Sequence, residues 1–210
     1  AAWHADEQLI HMGELCELAI NRATKALQNG SIEEAKNVID ADQEVDQMEK
    51  DIERLCLKLL LQQQPVARDL RQISAALKMI TDMERIGDQA SDIAEIIISE
   101  KKSQVTDLKK IGSMSEAAAK MVRDSVTSYV NKDLELCRRV MEADDAVDIM
   151  FEETKKGTDR CDCGQQRRSG KRSDRSDHGA KYLERIGDHA TNIAEWVEFS
   201  ITGIHKDSQI

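Results

Sequence analysis

Aromatic residues are nearly missing from this 210-residue chain, at 3%, and Pro65 is its only proline. Ala, Leu, Ile, Glu, Lys, Gln and Asp dominate instead, a composition that suits long helices and argues against a β-sandwich or a parallel sheet. Long apolar runs are missing too. The longest candidate, Leu55-Cys-Leu-Lys-Leu-Leu-Leu61, is interrupted by Lys58 and falls well short of a bilayer span. Positive charge is in deficit: 30 Lys and Arg stand against 40 Asp and Glu, a formal net charge of −10. That balance disfavours nucleic acid and anionic membrane as main partners, and it suits solubility and cation binding. The start of the chain, Ala1-Ala-Trp-His-Ala-Asp-Glu7, has no basic flank and no apolar stretch after it, so it does not read as a secretory signal. Of the five cysteines, Cys16, Cys56 and Cys137 fall at apolar positions of helical patterns and read as buried thiols. These absences leave the expectation of a soluble, reduced, cytoplasmic helical protein.

What is present is a repeat. Glu84-Arg-Ile-Gly-Asp-Gln-Ala-Ser-Asp-Ile-Ala-Glu95 and Glu184-Arg-Ile-Gly-Asp-His-Ala-Thr-Asn-Ile-Ala-Glu195 are identical at nine of twelve positions, 100 residues apart. A second echo lies between Val38, Ala41, Asp42, Val45, Asp46, Met48 and Val140, Ala143, Asp144, Val147, Asp148, Met150, displaced by 102. A fixed period of this size is the mark of a duplicated supersecondary unit. The expected domains are 1–102 and 103–210.

Each half reads as three amphipathic antiparallel helices. The first runs from about Ala5 to Leu27, where Leu9, Met12, Cys16, Ala19, Ala23 and Ala26 keep helical spacing, and Gly30 ends it. Ser31-Ile-Glu-Glu34 reads as a capping box opening a second helix that extends to about Gln63. Pro65 is placed as the first residue of the third, which carries the Glu84 motif to about Ser99. In the second half a helix from about Val105 to Val130 precedes one capped by Asn131 or Asp133, and the last carries the Glu184 motif to about Ile204. The expected fold is all-α: two tandem three-helix bundles, or one six-helix array.

The segment 157–180 breaks this plan. It has no Leu, Ile, Val, Met or aromatic residue and holds four of the ten glycines, where the repeat requires an apolar helix like Leu55–Ile80. A disordered linker, a basic cysteine-bearing loop and a pair of compensating frameshifts in the recorded sequence are the competing readings. Plausible codons for Ser173–Gly179, read one nucleotide later, give Ala-Ile-X-Leu-Ile-Met, the apolar helix that the repeat requires.

The chemistry-bearing residues are carboxylates. Glu84, Asp88 and Asp92 recur every four residues beside the apolar stripe of the third helix, and Asp42, Asp46 and Glu49, spaced by four and then three, make a similar stripe on the second. Asp144 and Asp148, then Glu184 and Asp188, repeat the arrangement. One acidic stripe is ordinarily a solvated face, but recurrence in both halves around Gly87 and Gly187 points to oxygen-rich sites for Mg, Mn or Fe. A mid-helix glycine costs about 1 kcal/mol relative to alanine, so close helix approach is one reason to keep it. No histidine has a glutamate three residues before it, which speaks against a ferritin-like di-iron enzyme. His189, beside Asp188, has two readings, an extra ligand and a polar surface residue, of which the second is the expected one. No phosphate loop or catalytic triad is present, and the chain is not expected to be an enzyme.

The two Glu-Arg-Ile-Gly-Asp copies, and above all Lys181-Tyr-Leu-Glu-Arg-Ile-Gly-Asp-His-Ala-Thr-Asn-Ile-Ala-Glu-Trp196, resemble the PhoU family of phosphate-transport regulatory proteins. The resemblance covers nearly the whole chain apart from 157–180. It implies two similar three-helix bundles, a homodimer and a cytoplasmic location. It further implies negative regulation of the phosphate-starvation regulon, with partners in the ATPase subunit of the phosphate ABC transporter and the phosphate-sensing histidine kinase. Metal binding (Fe, Zn, Mn or Mg) is implied at the acidic motifs, which fall here on Glu84, Asp88, Glu184 and Asp188, with Asp42, Asp46, Asp144 and Asp148 on the facing helices. A carboxylate-bridged metal-binding or storage protein is the alternative.

Overall fold

A computed structural model describes residues 4–62, 65–99, 108–161 and 175–204. The described residues form six helices: α1 (His4–Asn29), α2 (Ile32–Gln62), α3 (Ala67–Ser99), α4 (Leu108–Asn131), α5 (Leu134–Cys161) and α6 (Arg175–Thr202). The all-α architecture read from the repeat is present, with α1–α3 and α4–α6 each packing as a three-helix bundle.

The turns follow from local chemistry. Gly30 takes φ +65° past the end of α1, and the Ser31 amide donates to the Ala26 carbonyl across it. This is a Schellman-type end, in which a left-handed residue lets two orphan carbonyls find donors. The Ser31 hydroxyl then accepts the Glu34 amide at 3.2 Å and opens α2. At the corresponding turn Lys132 takes φ 54°, Asp133 donates to Ser128, and Asp133 Oδ1 accepts the Leu136 amide at 2.9 Å. Asp133, not Asn131, is therefore the cap of α5. Pro65 stands two residues ahead of Ala67 instead of opening α3. Its fixed φ leads the chain in, while the first helical bond runs from the Leu70 amide to the Val66 carbonyl. The expected start of the fourth helix at Val105, and residues 162–174 of the anomalous segment, lie outside the described residues. At the end of that segment Arg175–Ala180 are already the first turns of α6, with Gly179 and Ala180 buried.

The two bundles share one core. α1, α3, α4 and α6 form the centre, joined across the halves by α1 on α4 and, most extensively, α3 on α6. Met12, Ile20, Met79, Met83, Ile86, Ile93, Met114, Val122, Leu183 and Ile193 belong to one continuous apolar cluster. α2 packs only on α1 and α3, and α5 only on α4 and α6. These outer helices accordingly bury few side chains, and it is at their contacts with α3 and α6 that the carboxylates meet.

Candidate functional site

Helix periodicity sets Asp42 and Asp46 on the flank of α2 that abuts α3, beside the buried Val38 and Val45. Gly87 removes the side chain that would otherwise hold the two helices apart. A Cβ built there would lie 2.7 Å from Asp42 Oδ1 and 3.2 Å from Val45 Cγ1. In the second half a Cβ on Gly187 would lie 3.2 Å from Asp144 Oδ1 and 3.5 Å from Val147 Cγ1. Both mid-helix glycines thus have the same physical reason, a carboxylate seated against the neighbouring backbone.

The structure brings all eight singled-out carboxylates into two clusters: Asp42, Asp46, Glu84 and Asp88 between α2 and α3, and Asp144, Asp148, Glu184 and Asp188 between α5 and α6. Their titration records the crowding. Burial, then the charges of Asp88 and Asp46, raise Asp42 from 3.8 to about 6. Burial raises Glu84 with Asp88, Glu49 and Asp46, and it raises Asp88 with Asp46. In the other cluster Asp144, Glu184 and Asp188 are each raised by burial first and by neighbouring carboxylates second. Arg85 and Arg185 partly offset this on Glu84 and Glu184. Asp144 Oδ1 is buried, and the Thr191 side chain partly offsets the rise on Asp144. Like charges gathered in partly desolvated space raise the free energy of the ionised state and favour a proton or a cation. Among the described residues no three His, Cys, Asp or Glu side chains converge closely enough to enclose an ion as they stand.

Glu49 and Asp92 extend the first cluster, both raised by burial first and neighbouring carboxylates second, with the Arg185 charge on α6 partly offsetting the rise on Asp92. His189 is not the surface residue expected from its neighbours. Its side chain is 17% exposed, and its Nδ1 lies 2.9 Å from Oδ1 of the buried Asp82 on α3. Asn192 Nδ2 donates to the same oxygen at 3.4 Å. The available signal was Asp82 itself, a carboxylate inside the apolar stripe between Met79 and Ile86. Farther along the seam Lys78 sits 5.9 Å from the Trp196 ring centre, and the Arg185 guanidinium 5.8 Å from that of Tyr182.

Comparison with known proteins places this geometry. The profile described as PhoU domain matches residues 9–97 and again 111–197, one match per bundle. A PhoU homologue from Aquifex aeolicus, named as a phosphate-specific transport system accessory protein, is 40% identical over 69% of this chain and 66% of its own length. The homologue of the same name from Clostridium acetobutylicum is 33% identical over 95% of this chain and 92% of its own. The crystal structure of PhoU from Pseudomonas aeruginosa superposes with a TM-score of 0.86 at 31% identity, covering 95% of this chain and 96% of that one. With the profile matched in both halves, and the Clostridium homologue matched over 95% of the chain, the chain belongs to the PhoU family.

Proposed function

We propose that this protein is a cytoplasmic, non-enzymatic accessory protein of a phosphate-specific transport system. In this reading it restrains the phosphate-starvation regulon by coupling the ATPase subunit of the phosphate ABC transporter to the phosphate-sensing histidine kinase, and it acts as a homodimer. The observation that carries the reading is the match to accessory proteins of that name over 95% of the chain. No described helix is long and apolar enough to cross a membrane, so attachment to a transporter would run through protein surfaces or a peripheral contact.

In the same proposal the two carboxylate clusters hold metal ions. The donor set is all oxygen, Asp42, Glu84, Asp88, Asp144, Glu184 and Asp188 are each pushed toward the protonated form by burial and by neighbouring carboxylates, and Asp144 Oδ1 is buried close to the Gly187 backbone. These features fit Mg, Mn or Fe, with Zn as a borderline case. Asp42, Asp46, Glu84 and Asp88 would hold one ion and Asp144, Asp148, Glu184 and Asp188 the other. A bound ion supplies positive charge that lets α2 and α5 stay pressed on α3 and α6. The chain's part is to present the carboxylates and, through Gly87 and Gly187, to let the helices approach.

The test is complementation of a strain lacking its own PhoU, with an alkaline phosphatase reporter read in high phosphate. Wild-type protein is expected to silence the reporter, and continued reporter activity despite normal expression would reject the reading. Elemental analysis of protein purified without affinity metal, beside Glu84→Ala/Asp88→Ala and Glu184→Ala/Asp188→Ala, tests the metal part. Stepwise loss of metal is expected, and a metal-free wild type after reloading would remove it. A metal store, the second reading, predicts loading far above one ion per cluster.

A further inference from the structure

We propose that the two carboxylate clusters are unequal, and that Glu49 and Asp92 make the one between α2 and α3 the tighter site for a divalent cation. The inference rests on the metal reading above and concerns two residues outside the carboxylates assigned to each cluster there. Asp42, Asp46 and Glu49 follow one another along α2 at spacings of four and three, and Glu84, Asp88 and Asp92 along α3 at spacings of four. The two ladders meet in opposite directions. Asp92 acts on Asp42 at one end, and Glu49 acts on Glu84 at the other. The first cluster is therefore a run of six carboxylates, with Glu49 and Asp92 at its two ends.

The second cluster has neither end. Carried across the repeat, Glu49 corresponds to Phe151 and Asp92 to Asn192. Phe151 is half-buried and packs on the apolar core, with Lys155 Nζ 5.3 Å from its ring centre. Lys155 itself stands where the first half has Glu53. Asn192 donates to Asp82 Oδ1 at 3.4 Å, toward the seam between the bundles. An apolar ring thus closes one end of the second cluster and an amide engaged elsewhere closes the other, leaving Asp144, Asp148, Glu184 and Asp188 as four.

Exchanges in the other direction do not restore the balance. Gln43 corresponds to Asp145, and Lys50 to Glu152. Asp145 is exposed and is the weakest of the carboxylates acting on Asp144. Glu152 is exposed and engaged by Lys155 at 3.7 Å. In the first half Lys50 offsets part of the charge around Glu49, and Arg185 part of that around Asp92. Glu49 nonetheless meets Glu53, Asp46 and Asp88, and Asp92 meets Glu95 and Asp88. Asp42 is also seated closer to the facing backbone than Asp144, 2.7 Å against 3.2 Å from where a Cβ on the opposing glycine would stand. The affinity of an all-oxygen site rises with the number of negative ligands it can recruit. Carboxylates just outside the ligand shell add to it by orientation and by charge.

The test is calorimetric titration of Mn²⁺ into the metal-free full chain near neutral pH, with one cluster disabled at a time. Glu184→Ala/Asp188→Ala keeps the first cluster, and Glu84→Ala/Asp88→Ala keeps the second. The former should bind Mn²⁺ at least about tenfold more tightly than the latter. Adding Glu49→Gln/Asp92→Asn to the protein that keeps the first cluster should remove most of that difference. Both replacements preserve side-chain shape, so circular dichroism should match the parent protein. Equal affinities in the two single-cluster proteins, or a first site unmoved by Glu49→Gln/Asp92→Asn, would overturn the proposal and leave the metal reading intact. Absence of Mn²⁺ binding in both single-cluster proteins and in the wild type would overturn the two together.

Discussion

Asp42 shows how much of the site lives in single side chains. Its carboxyl, raised from 3.8 to about 6, holds its proton more tightly in the folded protein than in the unfolded chain. The stabilising contribution is therefore complete below the unfolded value of 3.8 and is lost as pH rises through about 6. In metal-free protein Asp42→Asn should raise the melting temperature near pH 7.5 and change it little near pH 4. Added Mn²⁺ should reverse the order at the higher pH, because wild type alone gains the ligand; equal melting curves for the two proteins at both pH values would contradict the assignment. Gly87→Ala tests the same contact from the other side. Alanine gains about 1 kcal/mol of helix propensity, so net stability should shift by no more than about that much. The new methyl must nonetheless displace the carboxylate now 2.7 Å from its position. Metal binding by the first cluster should fall, and it should fall less at Gly187→Ala, where the gap is 3.2 Å. The carboxylates were legible in the sequence from i, i+4 spacing and repetition. Asp82 and His189 were not, because their pairing joins residues on α3 and α6 that no local spacing connects.

Helix ends carried clear signals where the residue types were the usual ones. Gly30 and Ser31 announced the α1–α2 turn, and the structure places them as sequence chemistry requires. Lys132 announced nothing, since lysine is not a left-handed turn residue, yet it occupies the position equivalent to Gly30 with φ 54°. A side chain in that region costs roughly 1–2 kcal/mol. Lys132→Gly should accordingly stabilise the protein, by about 0.5–1 kcal/mol once the greater flexibility of unfolded glycine is counted. Asp133→Ala, which takes the acceptor from the Leu136 amide, should cost about 1 kcal/mol. Chemical denaturation of the two variants would show opposite shifts of midpoint at unchanged slope. A shift of the same sign in both would mean that the turn is held by something other than its cap and its backbone.

The repeat made two bundles legible, but not how they join. Periodicity marks which face of a helix is apolar, and it does not say whether that face meets its own half or the other. α3 and α6 meet each other more extensively than any other pair, and the apolar cluster runs unbroken through both halves. Asp82 fixes the seam with polar contacts from two α6 side chains, His189 and Asn192. A chain ending at residue 104 would thus expose the α3 face that α6 now covers, including an uncovered Asp82, while losing none of its own three helices. Such a fragment should keep helical circular dichroism but melt broadly and self-associate, whereas the full chain should unfold in one transition. Asp82→Ala in the full chain probes the seam without truncation. It strips His189 and Asn192 of a shared acceptor in a buried setting, at a cost of about 1–3 kcal/mol, and Asp82→Asn should recover part of it. If the halves were independent units, Asp82→Ala would leave the melt unchanged and the fragment would melt as sharply as the whole. A single transition lowered in midpoint would instead show that the carboxylate clusters on the two flanks sit on one cooperative body joined through α3 and α6.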